Sequence, residues 1–255
     1  MKNPYIATPH GLKALILAGG RGKRLGGFTE ESNKCLLTFR GRPLMECSLD
    51  NARNLGIREI VIVVGYQADD IITTYGRRYM GCTITYVVQE EQLGILHAIE
   101  CAKRAMGKRD FLLMLGDEVF VNPRHESMLH AFRAGDSFAI CGVIRVEDRA
   151  LIRKTYSIEC DERRKQILRL TEKPENPANH FMGTGNMVCR NELLDYLRKT
   201  PVNPRRGERE LVGLIQSAID DGKTVRYHEI ASGYMNINTA EDVAILKRHE
   251  NETPQ

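Results

Sequence analysis

Three glycines and four cations cluster near the start of this 255-residue chain. The apolar residues 14–18 run into Gly19-Gly20-Arg21-Gly22-Lys23-Arg24, and Lys34 follows ten residues after Arg24. Glycine has no Cβ, so the main chain can bring bare N–H groups up to phosphate oxygens. Arg21, Lys23, Arg24 and Lys34 supply charge that a neutral ligand would not need. The pattern is that of a loop wrapped around a polyphosphate. Spacing excludes two better-known glycine loops. Leu17 stands five positions before Gly22, where a P-loop needs glycine, and Leu25 stands where the dinucleotide fingerprint needs its last glycine.

Four more groups have the chemistry to complete such a site. Gln89 carries a donor and an acceptor that can read one edge of a nucleobase, and Gly94 would let backbone lie against the same base. Taken singly, Gln89 reads more simply as a strand-end polar residue, Gly94 as a helix N-cap and His97 as structural. Asp117, after an apolar run and Gly116, is placed to hold Mg²⁺, which prefers one or two carboxylates together with substrate phosphates. A plain Gly-Asp turn fits the same residues. In Thr171-Glu172-Lys173-Pro174, Lys173 could bind a second phosphate and Glu172 a hydroxyl; a surface ion pair is the simpler reading. Near the C-terminal end, amide oxygens of Asn236 or Asn238 could complete a metal site.

These residues follow apolar segments, which fixes what must position them. Strands are expected at 12–17, 59–64, 83–89, 111–115, 137–144, 156–160, 167–171, 185–189 and 224–229. Helices are expected at 44–54, 68–79, 95–105, 123–134, 191–199 and 209–221, and a last one starts at Thr239, where Thr239 and Asp242 form a capping box. The alternation predicts an α/β fold, a Rossmann-like, mostly parallel sheet with helices on both faces, with function at the carboxyl ends of the strands. One domain is expected over 11–248, with flexible termini at 1–10 and 249–255. Basic residues are spread along the chain and offset by 33 acidic ones for a net charge of +4, which argues against nucleic acid. The apolar runs are too short to span a bilayer. Seven scattered cysteines without a C-x-x-C pair, and no signal-peptide pattern, suggest a reducing cytoplasm.

Together the segments resemble the sugar-1-phosphate nucleotidyltransferases, or NDP-sugar pyrophosphorylases, over residues 12–246. Residues 17–25 match the family pattern L-A-G-G-x-G-x-R-L, with Thr29, Lys34, Leu36 and Leu37 following. Gly41-Arg-Pro-Leu44, Val64-Gly-Tyr66, the run 89–98, Leu115-Gly-Asp117, Glu172-Lys-Pro174 and Thr184-Gly185 recur in the family's order. The resemblance implies an α/β nucleotide-diphospho-sugar transferase-like fold. It implies transfer of a nucleotidyl group from a nucleoside triphosphate to a phosphorylated acceptor, with Mg²⁺ and release of diphosphate. By position, Leu17, Ala18, Gly19, Gly20 and Gly22 would wrap the nucleotide, with Arg24 and Lys34 on its phosphates. Gln89 and Gly94 would read the base, and Asp117 and Asn236 would ligate the metal. Lys173 would hold the acceptor phosphate, with Ser157, Glu172 and Glu210 on the acceptor's hydroxyl side.

The chain departs from the pattern at named places. Asn33 replaces the usual proline before Lys34, Ile95 a threonine and Asn236 the metal-binding aspartate. Ser157 replaces the glycine of a tyrosine–glycine pair, and Gly213 an aspartate. An enzyme using UTP or dTTP and a sugar 1-phosphate is the first expectation. A CTP-dependent cytidylyltransferase acting on a phosphorylated alcohol or phosphonate, and a catalytically silent regulatory homologue, are the alternatives. Members of the family range from monomers to tetramers, so a homo-oligomer stays open.

Overall fold

Parallel strands buried on both faces read as unbroken apolar runs, and the three with this character, Lys13–Ala18, Glu59–Val64 and Phe111–Leu115, lie side by side in the sheet. The computed structural model describes residues 11–22, 25, 33–204 and 207–245. In chain order its elements begin with β1 (Lys13–Ala18), a 3-10 turn (Lys34–Leu36), β2 (Thr38–Phe39), β3 (Arg42–Pro43) and α1 (Met45–Asn54). Next come β4 (Glu59–Val64), α2 (Ala68–Tyr75), β5 (Arg78–Tyr79), β6 (Cys82–Val88), α3 (Ile95–Met106) and β7 (Phe111–Leu115). Then follow β8 (Glu118–Val121), α4 (His125–Ala134), β9 (Ala139–Arg145), a 3-10 helix (Arg149–Lys154), β10 (Tyr156–Asp161) and β11 (Gln166–Glu172). The chain continues with β12 (Phe181–Cys189), a further 3-10 helix (Asn191–Arg198), α5 (Leu211–Asp220), β13 (Val225–Glu229) and β14 (Gly233–Asn236).

Ten strands form one sheet in the order β10-β11-β13-β9-β12-β7-β1-β4-β6-β5. The run β7-β1-β4-β6 is parallel, as is β9 with β13. β12 enters antiparallel between β7 and β9, so the second half of the sheet is mixed. Side chains alternate across the sheet and build one core on each face. Leu15, Leu17, Val61 and Val63 join Leu96 and Ile99 of α3 and Leu214 and Ile215 of α5. Ala14, Ile16, Ile60 and Ile62 join Leu49 of α1, Ile71 of α2 and Met128 and Phe132 of α4.

Several expected boundaries move for local reasons. The helix expected over 68–79 ends at Tyr75, before Gly76 at φ 56°. The segment expected as a helix over 191–199 is wound as 3-10. At the last helix, the Thr239 hydroxyl accepts from Asp242 N–H at 3.2 Å. In return, Asp242 Oδ2 accepts from Thr239 N–H at 2.8 Å. This is the reciprocal capping that the sequence pattern predicts. β8 and β14 are strands that the sequence pattern does not predict; they pair antiparallel as a separate ribbon with Asn236 opposite Glu118. All seven cysteines are free thiols. Among the described residues, no helix is long and apolar enough to cross a membrane.

Candidate active site

Because β1, β4, β6 and β7 are parallel neighbours, Gly19, Gly65, Gln89 and Gly116 all fall just beyond the same edge of the sheet. There Leu17, Ala18, Gly19, Gly20 and Lys34 line a cavity of about 330 Å³. Gln89, Gly94, Asp117, Asn236 and Asn238 line it as well. Ten residues named from sequence therefore share one cleft. Gly22 adopts φ 61°, and its carbonyl accepts from Leu25 N–H at 2.8 Å, which turns the chain out of the loop. Arg24 lies outside the described residues.

The Gln89–Gly94 pair is built from backbone upward. The Gln89 amide is buried; its Nε2 donates to the Gly94 carbonyl at 3.1 Å and sits 3.1 Å from His97 Nδ1. Both amide hydrogens are thereby engaged, and Oε1 is left as an acceptor. Oε1 lies so near Gly19 that a Cβ there would approach it to 2.9 Å, which requires glycine. Gly94 caps α3 at φ 90°, and a Cβ on it would come within 2.5 Å of Glu208 Oε2. His97 Nε2 faces Cys101 Sγ at 3.6 Å, so His97 orients Gln89, in keeping with the structural role read from sequence.

Elsewhere in the same cavity, the Lys34 ammonium donates to Asp117 Oδ2 in an ion pair whose partners are both largely buried. Lys34 opens a 3-10 turn capped by Asn33, whose Oδ1 accepts from Cys35 N–H at 2.9 Å. Burial and the neighbouring Asp117 push the Cys35 thiol up to about 12, so it stays protonated. Behind Asp117, the buried Glu118 accepts from Gly185 N–H (2.9 Å), the Tyr234 hydroxyl (2.7 Å) and Asn186 Nδ2 (2.5 Å). Burial raises its carboxyl to about 7 against the pull of those donors. The Asn236 Oδ1 is buried without a partner among the described residues.

A second cavity, of about 240 Å³, adjoins the first and shares Ile95, Leu115, Glu208 and Asn236 with it. Glu172 and Glu210 line it as expected, and Glu210 accepts from Asn203 Nδ2 at 2.6 Å. Ser157 and Lys173 do not line it, and strand parity is the cause. On β10 the cavity takes Tyr156, so Ser157 faces the other way and is buried against Met182 of β12. At the end of β11 it takes Glu172, while Lys173 is exposed at φ 45° and ties its N–H to the Thr155 carbonyl at 2.7 Å. Sequence reasoning missed Lys154 and Glu208 on these walls; neither belongs to a strand-end motif.

The pattern of the family described as nucleotidyl transferase matches residues 13–242, and the chain belongs to that family. It is 31% identical over 233 residues to the UTP–glucose-1-phosphate uridylyltransferase AglF of Haloferax volcanii, covering 91% of this chain and 93% of AglF. It is 28% identical over 236 residues to the low-salt glycan biosynthesis nucleotidyltransferase Agl11 of the same organism, and spans 64% of that longer protein. A UTP-bound UGPase from Acinetobacter baumannii superposes with a TM-score of 0.82 at 18% identity, over 96% of this chain and 95% of that one, which shows a shared fold.

Proposed function

We propose that the protein transfers a nucleoside monophosphate group from UTP or dTTP to a sugar 1-phosphate, forming an NDP-sugar and diphosphate. The observation that carries this reading is the joining of two cavities at the sheet edge. One holds a base reader, a glycine loop and the Lys34–Asp117 pair; the other is walled by hydroxyl-reading carboxylates. The Gln89 oxygen left free of internal partners suits a base N–H, and the likeness to AglF favours a uracil-type base.

An oxygen of the acceptor phosphate attacks the α-phosphorus in line, and diphosphate leaves from the opposite side. The attacking oxygen is already ionised, so no general base is required, and rate comes from positioning and charge. Gln89 and the Gly94 backbone fix the base, and Gly19 and Gly20 let the chain approach the phosphates. The Lys34 ammonium, moving from Asp117 to the triphosphate, neutralises charge that grows on the leaving diphosphate. Glu172 and Glu210 accept from acceptor hydroxyls. Asp117 and Asn236 fit a magnesium ion, because one carboxylate and one orphaned amide oxygen are the hard donors it takes alongside phosphates. Bound there, the ion would supply Lewis-acid stabilisation of phosphate charge.

Diphosphate release is measured with each of UTP, dTTP, CTP, ATP and GTP against a panel of sugar 1-phosphates, phosphorylated alcohols and phosphonates. Release requiring UTP or dTTP and one hexose 1-phosphate is expected. Turnover only with CTP and a non-hexose acceptor would replace the substrate assignment. Failure to bind any nucleotide would sink the whole reading.

A further inference from the structure

Lys34 sits at the start of a turn only three residues long, and so short a 3-10 segment has no helical cooperativity with which to hold itself. Asp117 holds the tip of the side chain, so something else must fix the turn that carries it. The adjacent Asn33 is fully buried and spends its amide in three directions. Oδ1 accepts from Cys35 N–H at 2.9 Å, which caps the turn. Nδ2 donates to the Ala18 carbonyl at 3.1 Å and to the Tyr66 carbonyl at 2.7 Å. Ala18 ends β1 immediately before Gly19, and Tyr66 lies in the loop after β4, where its own N–H donates to the Gly19 carbonyl at 3.2 Å. One side chain thus joins the lysine turn, the glycine loop and the β4 loop. Removing the amide would strand two carbonyls and one N–H in an enclosed space, and buried polar groups without partners are costly.

We propose that Asn33 is the positioning residue that sets Lys34 against the glycine loop, and that the amide, rather than backbone stiffness, does this. The proposal rests on the reading of Lys34 as the phosphate-binding cation given above. The Asn33 backbone stands at φ −65° and ψ 135°. A proline ring could adopt that conformation without strain, so the amide contribution can be separated from backbone restraint.

The test uses the full chain with Asn33→Ala, Asn33→Pro and Lys34→Ala, read by thermal melting, steady-state kinetics and the acetylation rate of Lys34 followed by mass spectrometry, with Lys13 as internal reference. In Asn33→Ala, kcat should fall about tenfold or more, with the acceptor KM changed by less than about threefold, because a displaced cation is missed chiefly in the transition state. Lys34 should acetylate at least about fivefold faster relative to Lys13 as it leaves its buried ion pair. Asn33→Pro should show the same two changes, since the ring restores φ and not the amide. It also carries the test should Asn33→Ala fail to fold. A lowered melting temperature with kcat and Lys34 acetylation both unchanged would overturn the proposal, as would full rescue of kcat by Asn33→Pro. If Lys34→Ala leaves kcat intact, the catalytic reading of Lys34 fails instead, and the acetylation rate still reports whether Asn33 holds that side chain.

Discussion

At the scale of single residues, the cleft separates groups that act by charge from groups that act by shape. Asp117 is the charge case: it pairs with Lys34 and stands beside the unpartnered Asn236 oxygen. Asp117→Asn keeps the shape and removes the charge, so Mg²⁺-dependent diphosphate release should be lost, and the melting temperature should fall because the buried Lys34 ammonium is left without its counter-charge, a cost of about 3–5 kcal/mol. Retained turnover would remove Asp117 from the metal assignment. On the acceptor side, a lysine that lines the cavity should matter more than one that does not. Lys154 lines it and Lys173 does not. Lys154→Ala should raise the acceptor KM by about tenfold, and Lys173→Ala by much less, since charge-assisted contacts to phosphate are worth about 1.5–3 kcal/mol. The opposite ranking in steady-state kinetics would return the phosphate to Lys173. Ser157→Gly should leave the acceptor range unchanged, because Ser157 lies buried on the far face of β10; a broadened range would place it on the wall after all.

At the scale of elements, the ribbon of β8 and β14 brings Asp117 and Asn236 together at one end, where Asn236 pairs with Glu118 and Ile237 N–H donates to the Asp117 carbonyl at 3.3 Å, with the buried Glu118–Tyr234 bond beside them. Tyr234→Phe removes one of three donors from a buried carboxylate, and the fold should lose about 1–3 kcal/mol, measured by urea unfolding. An unchanged stability would mean that water enters to replace the hydroxyl. This ribbon was also the element least legible in the sequence. β1, β4 and β7 could be read because each is an apolar run ended by glycine, and β6 because it is rich in β-branched and aromatic residues; most of the cleft residues named from sequence lie at or just beyond the carboxyl ends of these strands. β8 and β14 are four residues each, too short for periodicity to register, and they meet across 116 positions of chain. The same reason hides Asn33, whose importance lies in carbonyls 15 and 33 positions away. Ser157 and Lys173 lie off the cavity lining for a different reason: which residue of an adjacent pair faces the cavity depends on register, and one step inverts it.

At the scale of the whole molecule, stability should depend on pH through buried histidines on the side of the sheet away from α3. His125 is almost fully buried under Phe120, and its Nε2 lies 2.9 Å from Asn186 Oδ1. Asn186 already donates its amide to Glu118, so the carbonyl oxygen must accept, and the histidine Nε2 carries the hydrogen. Nδ1 has no partner, and a second proton there would create an unpaired buried charge. Burial therefore lowers the His125 pKa below its usual 6.5, more than the Asn186 bond raises it. His228 is lowered as well, by burial and then by Lys165. The unfolded chain binds these protons first as pH falls, so the stabilisation is complete above the unfolded pKa and is lost below it. His125 can remove up to about 1.4 kcal/mol per pH unit between its unfolded and folded values, and the half-buried His228 less, because solvent screens it. Glu118 acts with the opposite sign over the same range, because its carboxyl, raised to about 7, takes up a proton first in the folded chain. The melting temperature of the parent should therefore change little between about pH 7 and about pH 5, and His125→Gln, which keeps a donor for Asn186 and cannot titrate, should raise the acid end of the profile relative to pH 7. An unchanged profile in His125→Gln would assign the acid response to other groups.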